Sequence, residues 1–242
     1  EKYNPAQDVG WFYSIEKGYF NGDDKNDYIV GNLGENNKFH PSFDKPLEIY
    51  CNDFDGNGTN DIVLAKYQNN VCFPVRGRSC SSEQMPFIKD KFPTFSSFAT
   101  ADLSKIYGQD QLDKAIHFSA TEFASLLFLS SGTAFGVNHL PSLAQIGPIN
   151  KFIVKDFNKD GKMDALGVGN NYAVEVETIR YDAGRGVLML GDGAGGFTAL
   201  SPQESGFLET NDCKDMELVK FGGKEIIITV SNSAKAKTFL LK

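Results

Sequence analysis

Two nine-residue stretches concentrate side-chain oxygens at alternate positions: Asp53-Phe-Asp-Gly-Asn-Gly-Thr-Asn-Asp61 and Asp156-Phe-Asn-Lys-Asp-Gly-Lys-Met-Asp164. Each places Asp or Asn at loop positions 1, 3 and 5, Gly at 6 and Asp at 9. A hard divalent cation takes about six to eight oxygen ligands, and a tight turn at Gly58 or Gly161 lets alternate side chains aim at one point. The spacing therefore predicts calcium ligation by Asp53, Asp55, Asn57 and Asp61 in one loop and by Asp156, Asn158, Asp160 and Asp164 in the other. Thr59 and Lys162, at position 7, would add their backbone carbonyls. Carboxylates crowded this closely repel one another, and a bound dication relieves that repulsion. Turn chemistry accounts for Asp, Asn and Gly, but not for the repeated spacing with a ninth-position Asp and an apolar segment directly behind it.

The segment behind the loop decides the architecture. An EF-hand needs a bidentate Glu at position 12 on an exiting helix, and position 12 here is Leu64 or Gly167. Ile62-Val-Leu-Ala65 and Ala165-Leu-Gly-Val168 read instead as buried strands. A third copy, Tyr19-Phe-Asn-Gly-Asp-Asp-Lys-Asn-Asp27, keeps the register ahead of Tyr28-Ile-Val-Gly31, with Tyr19 in place of the first Asp and Asp24 in place of Gly. Two outcomes stay open for it: loss of the metal, or weak binding through Asn21, Asp23 and Asp27.

The elements that must hold these loops follow a module of loop, strand, turn, strand, and repeats of about 40 to 50 residues are the signature of propeller blades. Gly31-Asn32 and Gly169-Asn170 look like matched strand exits. Val187–Leu200 reads as a hairpin with a glycine-rich turn. Its Gly191, Gly193 and Gly196 also match a dinucleotide fingerprint, but that motif must open a helix, and here Phe197-Thr-Ala-Leu200 continues as strand. Ser125–Phe135 reads as a further blade without a metal loop, and the C-terminal segments Met216–Val230 and Thr238–Leu241 as three strands. The expected fold is all-β, a β-propeller of about five blade-like units, either a single domain over residues 1–242 or part of a larger propeller. Helix is expected in one region, an insertion at about 92–115, where Phe95, Phe98, Leu103, Ile106, Tyr107, Leu112 and Ile116 have helical spacing and Thr94 or Thr100 can cap. That stripe is expected to pack onto the blades.

Asp-Phe-Asp-Gly-Asn-Gly-x-x-Asp followed by an apolar strand, and then Gly191-Asp-Gly-Ala-Gly-Gly-Phe197, resembles FG-GAP or VCBS repeats, the calcium-binding blades of integrin alpha subunits. The resemblance spans most of the chain. Gly31-Asn-Leu-Gly34, Cys80-Ser-Ser-Glu-Gln-Met-Pro86 and Leu140-Pro-Ser-Leu-Ala-Gln145 resemble large bacterial surface proteins that carry such repeats. The resemblance implies a propeller with structural calcium in rim loops, serving adhesion, carbohydrate binding or assembly.

Composition limits the alternatives. A net charge of -7 with no basic stripe argues against nucleic acid, and no apolar run approaches the roughly 18 to 20 residues that span a bilayer. Opening at Glu1 with no signal peptide ahead of it, the chain reads as a processed or excised segment. Calcium loops suit an extracellular, cell-surface or periplasmic setting, where free calcium is high. Among four cysteines, Cys72 and Cys80 flank a turn that lets them meet as a disulfide, with unpaired burial the alternative; the pairing of Cys51 and Cys213 is open.

No His-Glu-x-x-His, Gly-x-Ser-x-Gly or Walker motif is present. His117, in an apolar stretch, reads as a packed core residue, and Arg76 and Arg78 as exposed loop arginines with anion binding the sharper alternative. Glu175 and Glu177 share one strand face, with Asp182 nearby, and paired carboxylates can cleave glycosidic bonds. The expected function is thus a non-enzymatic, calcium-binding module of a secreted or surface protein that binds a glycan or protein. The alternative is a polysaccharide-active hydrolase or lyase using those acids.

Overall fold

The computed structural model describes residues 9–174 and 178–241. The chain forms two compact units: one takes Gly10–Lys38 and the chain from Phe123 onward, the other Phe39–Glu122. Both are built on antiparallel sheets, four in all among the described residues, so the fold is all-β.

Strands are numbered along the chain. In each loop copy the ninth Asp is the first residue of a strand: β2 (Asp27–Gly31), β4 (Asp61–Gln68) and β10 (Asp164–Gly169). The β-branched and aliphatic residues that follow favour an extended, buried backbone. In the first unit, β1 (Ser14–Gly18), β2, β7 (Leu126–Ser130) and β8 (Phe135–His139) form one sheet in that order. A second sheet runs β12 (Phe197–Leu200), β11 (Val187–Gly191), β10, β9 (Ile149–Lys155). The third contains β13 (Cys213–Phe221), β14 (Lys224–Ser231) and β15 (Lys237–Leu240). The expected hairpin at 187–200 and the three C-terminal strands are therefore present.

The Ser125–Phe135 segment, expected as a blade of its own, instead completes the first sheet: Tyr28 pairs with Phe128 and Val30 with Leu126. Four sheets stand where about five units were expected. The reason is topological, since the second unit intervenes between β2 and β7 and sequence order hides their pairing.

The paired strand exits have a packing cause. A Cβ on Gly31 would lie 2.1 Å from the Ile149 carbonyl oxygen, and one on Gly169 would lie 1.7 Å from that of Pro148. Only glycine admits so close a backbone. The asparagines that follow, Asn32 and Asn170, are buried, and their side-chain amides donate to the carbonyls of Ala124 and Gly184 respectively. The sheets pack through two apolar clusters, one around Ile29, Leu127, Phe152 and Met189, the other around Leu166, Phe207, Met216 and Ile227. Each such side chain contributes about 1.5–3 kcal/mol on burial.

The second unit holds the sheet β5 (Val71–Pro74), β4, β3 (Leu47–Asn52), β6 (Ile116–Ala120). The helical insertion between β5 and β6 begins earlier than expected and breaks into five short helices: α1 (Arg78–Gln84), α2 (Phe87–Lys91), α3 (Phe95–Ala99), α4 (Leu103–Tyr107) and α5 (Gln109–Lys114). Thr94 caps α3 through a capping box. Thr100 instead ends that helix, and Asp102 caps α4. Phe98, Leu103, Ile106, Tyr107 and Leu112 pack with Met85, Ile88 and Phe92 against Phe54, Val63 and Ala65, as the stripe predicts. Phe95 and Ile116 are exposed and lie outside that core. A sixth helix, α6 (Pro202–Ser205), also falls outside the expected region, started by a Ser201/Glu204 capping box. No helix among the described residues is long and apolar enough to cross a membrane.

Candidate metal centre

All three loops share one backbone. Position 4 has positive φ in each (Gly22 72°, Gly56 75°, Lys159 64°), and so does position 6 (Asp24 59°, Gly58 87°, Gly161 87°). Glycine takes this conformation freely. Asp24 and Lys159 hold it at a cost of about 1–2 kcal/mol.

Side-chain oxygens face inward and collect the loop's own N–H groups. Asp53 accepts from the amides of Asn57 and Gly58, Asp55 from Asn57, and Asn57 from Thr59. The second loop repeats the pattern atom for atom: Asp156 accepts from Asp160 and Gly161, Asn158 from Asp160, and Asp160 from Lys162. In the third copy the position-3 and position-5 bonds survive, Asn21 accepting from Asp23 and Asp23 from Lys25. Tyr19 supplies no carboxylate for the first.

The ninth aspartate has a different environment. Asp27 and Asp164 are fully buried and Asp61 nearly so. One carboxylate oxygen of each accepts from the amide at position 2: Phe20 at 2.9 Å, Phe54 at 3.1 Å, Phe157 at 2.8 Å. The other reaches a separate element. Ser130 N–H donates to Asp27 and Gly191 N–H to Asp164, each at 2.9 Å, while Asp61 receives the side-chain amide of Gln84 at 3.2 Å. Asp27 and Asp164 thus clasp their loops to a second strand of the sheet, and Asp61 clasps its loop to α1. Gln84 carries no local sequence signal, since it lies 23 residues from its partner on α1.

Carboxylate oxygens of Asp53, Asp55 and Asp61 lie within 4.8 Å of one another. Burial pushes the Asp61 carboxyl above its usual range, and the charges of Asp55 and Asp53 add to the rise, against hydrogen bonds from Gln84 and Phe54. An all-oxygen set of this kind fits a hard cation such as calcium. Asp156, Asp160 and Asp164 do not converge to that degree. In the third copy, Lys25 at position 7 folds back on Asp23, its ammonium 3.3 Å from the carboxylate. The Lys25 backbone amide, with that ammonium, lowers the Asp23 pKa.

The remaining sequence candidates fall elsewhere. Glu175 and Glu177 lie outside the described residues. Asp182 sits 4.0 Å from Arg180, whose guanidinium stacks 3.9 Å over Tyr172. Arg76 donates to Gln84 and Arg78 to the Phe92 carbonyl, so both brace the insertion. No disulfide joins Cys72 to Cys80; the first lies on β5 and the second within α1, where helix formation carries it off the turn. His117 is not a core residue. Its ring is about half exposed, stacks on Tyr50 at 4.3 Å and 7°, and pairs through Nε2 with Glu48 at 2.7 Å. As the second residue of β6, an edge strand, it lacks the cover its apolar neighbours suggested.

Against known proteins, the chain matches no family model and no curated sequence.

Proposed function

We propose that this chain is a non-enzymatic, calcium-stabilised β-blade module of FG-GAP/VCBS type, one that presents a binding surface for a glycan or protein in an extracytoplasmic setting. The observation that carries the reading is the convergence of Asp53, Asp55 and Asp61 on a loop whose inward-facing oxygens are already held by backbone amides. A preorganised oxygen cage costs a cation little reorganisation, and metal that binds only the folded state adds its binding free energy to stability. Asp53, Asp55, Asn57 and Asp61 hold the first ion, with the Thr59 carbonyl. Asp156, Asn158, Asp160 and Asp164 hold a second, with the Lys162 carbonyl. The third loop works without metal, because the Lys25 ammonium already offsets Asp23.

The test is metal content and thermal midpoint of the purified chain before and after chelation, with calcium and magnesium restored separately. The expected result is about two calcium ions per chain and a reversible rise in midpoint that Asp53→Ala and Asp156→Ala each diminish. A midpoint indifferent to chelation and calcium would overturn the proposal.

A further inference from the structure

Outside the loops, the second unit contains a cavity of about 480 Å³. It is lined by the stacked Tyr50 and His117 of β3 and β6, whose His117 pairs with buried Glu48, by residues of α4 and α5, and by Asn70 at the β4–β5 turn. We infer that this cavity is a binding site for a neutral, hydroxyl-rich ligand of one to two hexose units. The inference deepens the proposed glycan-binding role and rests on it.

Three observations select that class. The lining mixes donors and acceptors, with the amides of Asn70 and Gln109, the Tyr50 phenol, the His117 ring and the carboxylates of Asp102 and Asp113. Sugar hydroxyls, which donate and accept at once, match such a mixture. The polar groups are oriented by one another, as Asp113 accepts from Gln109 at 2.7 Å and Asp102 from Ser104 at 2.8 Å. Val71, which is exposed, and Ala115 supply apolar surface for a sugar's C–H face, backed by the buried Leu103 and Leu112. The volume falls within the range of about 300–1,000 Å³ usual for small-molecule sites.

Charge excludes the neighbouring classes. No Lys or Arg lines the cavity; Lys105 offsets Asp102 from 3.2 Å outside the lining, and Asp113 together with Glu48, paired to His117, leaves the site with negative charge that disfavours a uronate, sulfate or phosphate. Chemistry is disfavoured as well. Burial, aided by the Glu48 charge, pushes the Tyr50 phenol up to about 12 and the Cys72 thiol to about 11, so both remain protonated donors and neither is a nucleophile.

The experiment is an amide NMR titration of the whole chain with maltose, cellobiose and lactose, run beside digalacturonate and spermidine, each with calcium and with chelator. A neutral disaccharide is expected to give saturable shifts confined to residues around 50, 70 and 102–117, weakened about tenfold or more in Gln109→Ala and Asp113→Ala. Both variants alter exposed side chains, and their unshifted spectra elsewhere report an intact fold. No shift from any neutral disaccharide, shifts from spermidine or digalacturonate alone, or binding undiminished in both variants would each overturn the inference. Loss of calcium binding with sugar binding retained would instead remove the calcium reading and leave the cavity standing.

Discussion

Substituting Asp164 by Ala separates the two roles a loop carboxylate can have, ligand and clasp. Asp164 is fully buried and accepts from the amides of Phe157 at 2.8 Å and Gly191 at 2.9 Å, with a longer bond from Asn158 at 3.4 Å. A hydrogen bond to a charged group contributes about 1.5–3 kcal/mol, and removing the acceptor leaves the buried Gly191 N–H unsatisfied. The two short bonds together put the cost at about 3–6 kcal/mol in chelator, a large share of a domain's usual stability of about 5–15 kcal/mol. Asp156 offers the contrast, because its bonds to Asp160 and Gly161 are exposed. Asp156→Ala should therefore cost under about 1 kcal/mol in chelator. Calcium should widen the gap between wild type and Asp156→Ala, since the ligand is then missed. Urea unfolding followed by circular dichroism, with and without calcium, measures all four quantities. An Asp164→Ala cost below about 1 kcal/mol in chelator, or one equal to that of Asp156→Ala, would refute the clasp.

Two further outcomes follow from the same physics. Gln84→Ala should destabilise the second unit by about 1–3 kcal/mol, because it removes the amide that reaches Asp61 and the acceptor of Arg76; unfolding monitored at α1 by hydrogen exchange checks it, and unchanged protection there would contradict it. Glu209 is buried; burial raises its pKa, but Lys237 at 2.8 Å, the Asn211 amide and Thr229 outweigh that and hold it below the usual carboxylate range. A depressed folded-state pKa stabilises above the unfolded value of about 4.3 and loses that contribution as pH falls through the folded value. Wild type should thus shed stability across that acid window more steeply than Glu209→Gln, and parallel acid-denaturation curves would count against the pair.

Sequence alone conveyed the loops well, because their information is local. Alternating Asp and Asn, a positive-φ glycine at position 6 and a strand opening at the ninth residue all fall within a dozen positions. The same locality revealed the 187–200 hairpin and the Thr94 cap. What stayed hidden was non-local or marginal. The pairing of β2 with β7 spans an intervening unit, and the partner of Asp61 comes from a helix. The helices α1 and α2 are too short to show an apolar period, and they form because Met85 and Ile88 bury against the sheet. His117 misled because its apolar neighbours Ile116 and Phe118 face solvent on an edge strand.

The interrupted first sheet has a bearing on how the molecule assembles as it is made. β1 and β2 emerge before β7, yet β2 keeps one hydrogen-bonding edge open until β7 follows, and Asn32 meets Ser125 only 93 positions further along the chain. An open edge is a template for the wrong strand. If the second unit closes on itself first, it draws its two ends together, and the amide of Gly34 can then find the Phe123 carbonyl, 2.8 Å away, at the neck of a much shorter effective loop. The order of synthesis and the order of sheet completion thus differ, and the stability of the inserted unit governs how long that edge stays unguarded.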